Sequence, residues 1–143
     1  MNMRILQPRD WPRPRGYANG VSAHGRQIFV AGQIGWDERG ELAGADFVTQ
    51  ARQALQNIVA ILATDGARPE HLVRLTWYVV NRQAYLDSAT LLGEAYREVI
   101  GSHYPAMSAV EVSALMEPGA VVEIEATAVV PEAERGAGID ASV

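Results

Sequence analysis

Two glutamates stand two residues apart in an otherwise apolar run near the end of the chain. Glu123 and Glu125 alternate with Val, Ile and Ala over residues 120–130. This alternation predicts a strand that projects both carboxylates from one face of a sheet. A carboxylate on a face covered by another subunit would be partly desolvated, which suits it to proton transfer or to orienting a water molecule. The alternative is that both carboxylates contact solvent or pair with Arg74 on a neighbouring strand.

Other familiar chemical signatures are missing from the sequence. There is no phosphate-binding glycine loop, no nucleophile elbow and no zinc-binding His-Glu-x-x-His motif. His24, His71 and His103 lie far apart and show no metal-ligand spacing. Cysteine is absent, which excludes thiol nucleophiles, disulfides and cysteine-based metal sites. We therefore expect no metal site.

Length and charge narrow the class of protein. The 143 residues suit one domain, predicted over residues 1–131, followed by a flexible tail over 132–143 that is rich in Gly, Ala and acidic residues. The net charge of −5 disfavours a nucleic-acid-binding surface. No apolar run is long enough for a membrane helix or a signal peptide, so a cytoplasmic protein is expected.

The pattern of apolar residues predicts two helices and five strands. Residues 47–62 show the spacing of an amphipathic helix, with Asp46 as its N-cap and Gly66 at its end. A second helix is predicted over 85–100, ended by Gly101, and the proline-rich first fifteen residues are predicted to be extended. The predicted strands are 21–23 and 28–31, which form a hairpin, followed by 72–80, 107–115 and 120–130.

This β-β-α-β-α-β-β order predicts an α+β fold, with two helices packed on one face of a mixed sheet. The opposite face is predicted to be neither fully polar nor fully apolar. It would carry Leu72, Arg74, Thr76 and Tyr78 from one strand and the two glutamates from another. A half-apolar sheet face on a small domain favours packing against another copy of the chain.

Several segments, taken in order, resemble the RidA (YjgF) family. They are residues 16–21 (Gly-Tyr-Ala-Asn-Gly-Val), 28–34 (Ile-Phe-Val-Ala-Gly-Gln-Ile), 50–62 and 73–79. The most specific part is 105–112 (Pro-Ala-Met-Ser-Ala-Val-Glu-Val), followed by 122–126. The resemblance covers residues 16–130. It implies a chorismate-mutase-like fold, a homotrimer with clefts between its subunits, and cofactor-free hydrolysis of enamines and imines to 2-keto acids and ammonia.

The resemblance also implies roles for individual residues. Glu123 corresponds to the glutamate that positions the attacking water, and Tyr17 to a tyrosine that lines the cleft. Met107 stands where the family has an arginine that binds the substrate carboxylate. The chain thus resembles an arginine-lacking branch of the family. The candidate substrate-binding residues are Met107, Ala31, Gly32, Ser108 and Arg15.

Three functions remain open at this point. The first is hydrolysis of an imine, enamine or similar small electrophile, with an apolar anchor at Met107 or with another arginine, such as Arg15 or Arg74, binding the substrate. The second is a non-catalytic trimer that binds a small molecule in a regulatory or metabolic role, because a thioether cannot replace a guanidinium. The third, a ribonuclease or translation inhibitor, is disfavoured by the acidic charge.

Overall fold

A computed structural model describes residues 3–132 of the chain. The predicted tail lies outside the described residues except for Glu132, and so it stays a prediction. The strands are β1 (Met3–Leu6), β2 (Gly20–Ala23), β3 (Arg26–Gln33), β4 (Leu72–Val79), β5 (Ala106–Glu111) and β6 (Val122–Val130). The α-helices are α1 (Phe47–Ala63), α2 (Arg82–Asp87) and α3 (Ala89–Val99), and a single 3-10 turn (Pro69–His71) precedes β4.

Helix α1 forms as its sequence predicts. The Asp46 carboxylate accepts a hydrogen bond from the Thr49 backbone N–H at 3.1 Å and so caps the first turn. After the helix ends, Gly66 adopts a φ of +72°, which a residue with a side chain rarely adopts. The buried face includes Leu55, Ile58 and Leu62, all without solvent exposure. Each such side chain contributes about 1.5–3 kcal/mol through the hydrophobic effect.

Four strands form a mixed sheet in the order β3-β6-β4-β5. The central strand β6 is antiparallel to both β3 and β4, and β4 is parallel to β5. Helix α1 packs against β3 and β6, and α3 packs against α1. The helix-facing side chains of the sheet are buried, among them Leu75, Trp77, Val79, Val122, Ile124 and Ala126. The structure thus confirms the α+β class with a mixed sheet and two main helices.

The predicted hairpin between residues 21–23 and 28–31 is wrong. Strand β2 pairs with β1 instead, in a separate two-stranded antiparallel sheet, so β1 is a strand that the sequence pattern missed. At Gly25 the chain turns against the end of β6, where a Cβ would lie 2.2 Å from the Val130 carbonyl oxygen. The backbone groups of β2 therefore bond to β1, while β3 bonds to β6.

Two smaller predictions also need correction. The second helix is interrupted at Ser88, whose backbone N–H closes α2 by donating to the carbonyls of Ala84 and Tyr85. Leu72 is fully buried, although simple alternation assigns it to the same face as Arg74. The pairing of β4 with β6 shifts register between Leu72 and Arg74, and such an irregularity reverses the side on which the preceding residue lies.

The buried side chain of Gln50 ties α1 to two loops. Its amide nitrogen donates to the carbonyls of Gly44 at 2.8 Å and Gly119 at 2.9 Å. Its amide oxygen accepts from the Val121 backbone N–H at 2.9 Å, immediately before β6 begins. The side chain is completely buried, so water does not compete for its amide group. Gln50 therefore fixes how the chain enters the central strand.

We expect Gln50→Met, which keeps the length of the side chain, to lower the free energy of unfolding by about 3–5 kcal/mol. The half-buried Gly44 carbonyl and Val121 N–H would lose their partner, at roughly 1–3 kcal/mol each, and the carbonyl of the exposed Gly119 would lose less because water can replace its bond. Urea denaturation followed by circular dichroism measures the change. Gln56→Met, at an exposed position of the same helix, is the matched control and should change the stability by no more than about 0.5 kcal/mol. Equal stabilities for the two variants would contradict this role of Gln50.

Candidate functional site

A cavity of about 680 Å³ lies between the β5 edge of the sheet and the helices α2 and α3. The segment before β2 closes one side of it. The volume is within the range of small-molecule sites in proteins. Its walls carry five aromatic rings, two arginines and a group of aliphatic and small residues. The lining residues are Arg15, Gly16, Tyr17, Trp77, Tyr85, Leu86, Ala89, Leu92, Gly93, Tyr96, Arg97, Tyr104, Met107, Ser108 and Ala109.

Ring contacts hold the helices beside the cavity. The ring of Tyr85 in α2 packs edge-on against Phe47, with ring centroids 5.9 Å apart, and against Trp77 at 6.4 Å. In α3 the ring of Tyr96 stacks on Tyr104 at 5.2 Å. Such pairs add about 0.5–1.5 kcal/mol each beyond the area that they bury. Trp77 and Tyr96 therefore belong to the core, and Tyr85 and Tyr104 pack against it.

The phenols of Tyr85 and Tyr96 stay protonated at physiological pH. Burial raises the pKa of Tyr85, and burial together with the nearby Tyr104 raises the pKa of Tyr96 further. The Tyr96 hydroxyl donates to the His103 carbonyl at 2.6 Å, so it is already used inside the protein. These rings offer a ligand apolar faces rather than acid or base groups.

The segment that carries Arg15 and Tyr17 is fastened to the start of β5. The Ala18 backbone N–H donates to the Pro105 carbonyl at 3.0 Å, and Ala18 forms a parallel bridge with Ala106. This places Tyr17, which remains 41% exposed, in the same cavity as Met107. Four predicted site residues are thus brought together: Arg15, Tyr17, Met107 and Ser108.

The other three predicted residues lie elsewhere, on the face of the sheet that faces away from the helices; we call it the open face. Glu123 lies there beside Gly32, where a Cβ would come within 2.3 Å of the Glu123 Oε2 atom. Ala31 is exposed next to Gly32 in β3. Any side chain at position 32 would force the Glu123 carboxylate to move from this place. Within one copy of the chain, Glu123 does not line the cavity.

The two glutamates of β6 differ in their surroundings. Glu125 accepts a hydrogen bond from the Tyr78 hydroxyl at 2.6 Å, whereas Glu123 makes no such bond to any residue between 3 and 132. That hydrogen bond, with partial burial and the negative charges of Glu125 and Glu123, raises the pKa of Tyr78. Glu125 therefore has a structural hydrogen-bond partner. Glu123 has none among the described residues and is the candidate catalytic carboxylate. Neither glutamate forms an ion pair with Arg74 in the described part of the chain.

The sequence pattern missed Arg97 and the aromatic wall. Periodicity assigned Tyr85 and Tyr96 to a helix face without showing that a cavity adjoins it. Gly93 and Arg97 stand four residues apart, and that spacing alone could have placed them on the same side of α3. Arg74, a candidate for binding the substrate, is on β4 and does not line the cavity.

The open face is apolar towards its edges. Phe29 on β3 is 73% exposed and Val110 on β5 is 46% exposed. Among residues 3–132, no three or more His, Asp or Glu side chains are grouped so that they could hold a metal ion. No helix in this range is long and apolar enough to cross a membrane.

Comparison with known proteins agrees with this fold. Residues 12–130 match the sequence model of the family described as Endoribonuclease L-PSP. A RutC family protein of Pyrococcus horikoshii is 37% identical over 119 residues, which are 82% of this chain and 90% of that protein. Human 2-iminobutanoate/2-iminopropanoate deaminase is 32% identical over 105 residues, 73% of each chain.

A solved structure shows the same architecture. The Rid family protein YyfB of Yersinia pestis, of unknown function, superposes with a TM-score of 0.81 at 36% identity. The match covers 91% of this chain and all of that one. With the family model matched over most of the chain, and with relatives above 30% identity, this protein belongs to the RidA (YjgF) family.

Proposed function

We propose that the protein hydrolyses an imine, or the enamine in equilibrium with it, to a carbonyl compound and ammonia. Relatives named 2-iminobutanoate/2-iminopropanoate deaminase support this reaction class. The reaction needs no cofactor because an iminium carbon is already electrophilic. The protein has only to hold the substrate, orient a water molecule and stabilise charge. We place the reaction in the cytoplasm.

The main observation behind the proposal is that Glu123 lies away from the cavity within one copy of the chain. A water-orienting carboxylate and a ligand cavity are both present, but they lie at different places on one chain. We propose that a homotrimer unites them, with the open face of one copy packed against the cavity of the next. The exposed Phe29 and Val110 on that face support such packing, since apolar patches of this kind favour association.

The proposed reaction balances as a hydrolysis. Glu123 of one copy accepts a proton from water as the oxygen bonds to the carbon of the protonated imine, which produces a neutral carbinolamine. Glu123 then gives this proton to the nitrogen, which leaves as ammonia, while the hydroxyl proton passes back to the carboxylate and the oxygen forms the carbonyl double bond. Tyr17 of the next copy stands at the mouth of the cavity, where its hydroxyl can hydrogen-bond to the substrate.

Met107 favours an alternative, in which the trimer binds a small molecule without converting it. Met107 pairs with Leu75 in the β4–β5 register and presents a thioether to the cavity. It therefore cannot form the bidentate ion pair that an arginine makes with a carboxylate. Cleavage of RNA, which the family description names, is disfavoured by the net charge of −5.

Glu123→Gln should lower the rate of imine hydrolysis by about 10²–10⁴-fold, because an amide cannot accept the proton of water. Imines are generated with an amino-acid oxidase, and the semicarbazone that escapes hydrolysis is measured. Glu125→Gln keeps an acceptor for the Tyr78 hydroxyl and should retain most of the rate, which makes it the matched control. Wild-type protein that leaves semicarbazone formation unchanged for every imine tested would support the binding alternative instead.

Met107→Arg should bring faster hydrolysis of small imino acids, such as the imine of alanine. The new guanidinium would bind their carboxylate on β5, a contact worth roughly 10–100-fold in kcat/KM. Met107→Leu is the control and should leave the rate as in the wild type. If wild-type protein already equals Met107→Arg on these substrates, the absence of an arginine at this position does not set substrate choice.

Phe29→Asp should convert the trimer to a monomer, because three charged side chains would enter an apolar contact. Size-exclusion chromatography with light scattering should show the mass falling from three times 15.5 kDa to 15.5 kDa. Hydrolysis should be lost in parallel, since the site needs two copies. Phe29→Leu should keep both the trimer and the activity. A monomer that remains fully active would contradict the shared site.

A further inference from the structure

Helix α3 contains a glycine in its interior, and that glycine makes room for an arginine. A Cβ built at Gly93 would lie 3.3 Å from Nη1 and 3.9 Å from Nη2 of Arg97. Glycine is disfavoured inside a helix, and Gly93 has no positive φ that would require it. The guanidinium of Arg97 thus rests over the helix backbone at Gly93. Both residues line the cavity.

Arg97 has no carboxylate partner among the described residues. Four other arginines in this part of the chain are paired by contrast: Arg26 with Asp65, Arg39 with Asp37 and Glu41, Arg52 with Glu98, and Arg68 with Glu70. A guanidinium is planar and carries donors for both oxygens of a carboxylate. Arg97 is therefore a cation at the cavity wall, free to bind an anionic group of a ligand.

The rest of the wall indicates what the anionic group is attached to. Trp77, Tyr85 and Tyr104 present ring surface to the cavity, and Met107 and Leu92 add aliphatic surface. These groups select an apolar or aromatic side chain through the hydrophobic effect and ring contacts. A volume of about 680 Å³ far exceeds what a three-carbon imino acid fills.

We infer that Arg97, held over Gly93, binds the carboxylate of the substrate in place of the arginine missing at position 107, and that the substrate is a 2-imino acid with an aromatic or bulky apolar side chain. This inference rests on the proposed hydrolysis. It moves the cationic group that binds the carboxylate from the strand β5 to the helix α3. A longer substrate can then span the cavity, with its side chain against the rings.

Arg97 suits this role better than the other candidate arginines. Arg15 also lines the cavity, but it lies in a segment without regular structure. Arg74 does not line it. A binding group on a helix is positioned more rigidly than one on a loop, and the backbone at Gly93 defines where the guanidinium rests.

Binding of the product-like 2-oxo acid phenylpyruvate tests the inference without turnover. Titration calorimetry should give a Kd at least tenfold lower for phenylpyruvate than for pyruvate or for phenylacetaldehyde, which lacks the carboxylate. Arg97→Gln should weaken phenylpyruvate binding by about 10–100-fold, the loss expected for charge-assisted hydrogen bonds. Binding of phenylacetaldehyde should not change. Arg82→Gln, an exposed arginine outside the cavity, is the control and should bind as the wild type does.

Gly93→Ala provides a second variant that retains the arginine. Its Cβ would push the guanidinium aside by a few tenths of an ångström, so phenylpyruvate binding should weaken by less than in Arg97→Gln, while the helix content, measured by circular dichroism, stays the same. Equal phenylpyruvate binding by Arg97→Gln and wild type would overturn the inference, as would a loss seen only in Arg15→Gln.

Failure of the proposed hydrolysis would look different. In that case Arg97→Gln would still weaken phenylpyruvate binding, but neither the wild type nor Glu123→Gln would hydrolyse the imine of phenylalanine. If hydrolysis occurs and Arg97→Gln leaves its KM unchanged, the proposed function stands and the role of Arg97 is excluded.

Discussion

The two-residue alternation of β6 is the constraint on which the rest of the structure depends. This strand hydrogen-bonds to β3 on one side and to β4 on the other, so its faces define the faces of the sheet. Val122, Ile124 and Ala126 lie under the helices and form part of the core. The intervening positions, including Glu123, must then project from the open face. The same periodicity that stabilises the fold therefore separates the carboxylate from the cavity on the helix side.

The separation of Glu123 from the cavity suggests that a domain this small forms a complete site by association of copies. The cavity is built where the sheet ends at β5, and its aromatic wall is stabilised by contacts within the core. The carboxylate belongs to a face that one copy leaves uncovered. Association of copies through this face would cover apolar surface and complete the site in one step. Stability of the assembly and activity are then coupled by the same contact.

In the proposed function, substrate choice depends on which wall of the cavity carries positive charge. An arginine at position 107, as in the family, would lie on the strand β5, close to the proposed reacting atoms. Here Met107 leaves that wall apolar, and Arg97 of helix α3 lines the same cavity beside Gly93. Moving a charge to another wall of a cavity changes the length and polarity of the ligand that fits it, while the fold and the proposed role of Glu123 stay the same. A change of this kind can alter specificity without altering reaction class.

Local sequence by itself determined helix α1 with its Asp46 cap, the core strands β4 and β6, and the two faces of β6, because these depend on near neighbours and on periodicity. The residue types at 17, 107 and 123, and the family that they indicate, were also readable from it. Tertiary structure alone decided that β2 bonds to β1, that Leu72 is buried, and that Arg97 shares a cavity with Tyr17 while Glu123 does not. Each of these depends on pairing or packing between residues far apart in the chain, and periodicity carries no information about such contacts.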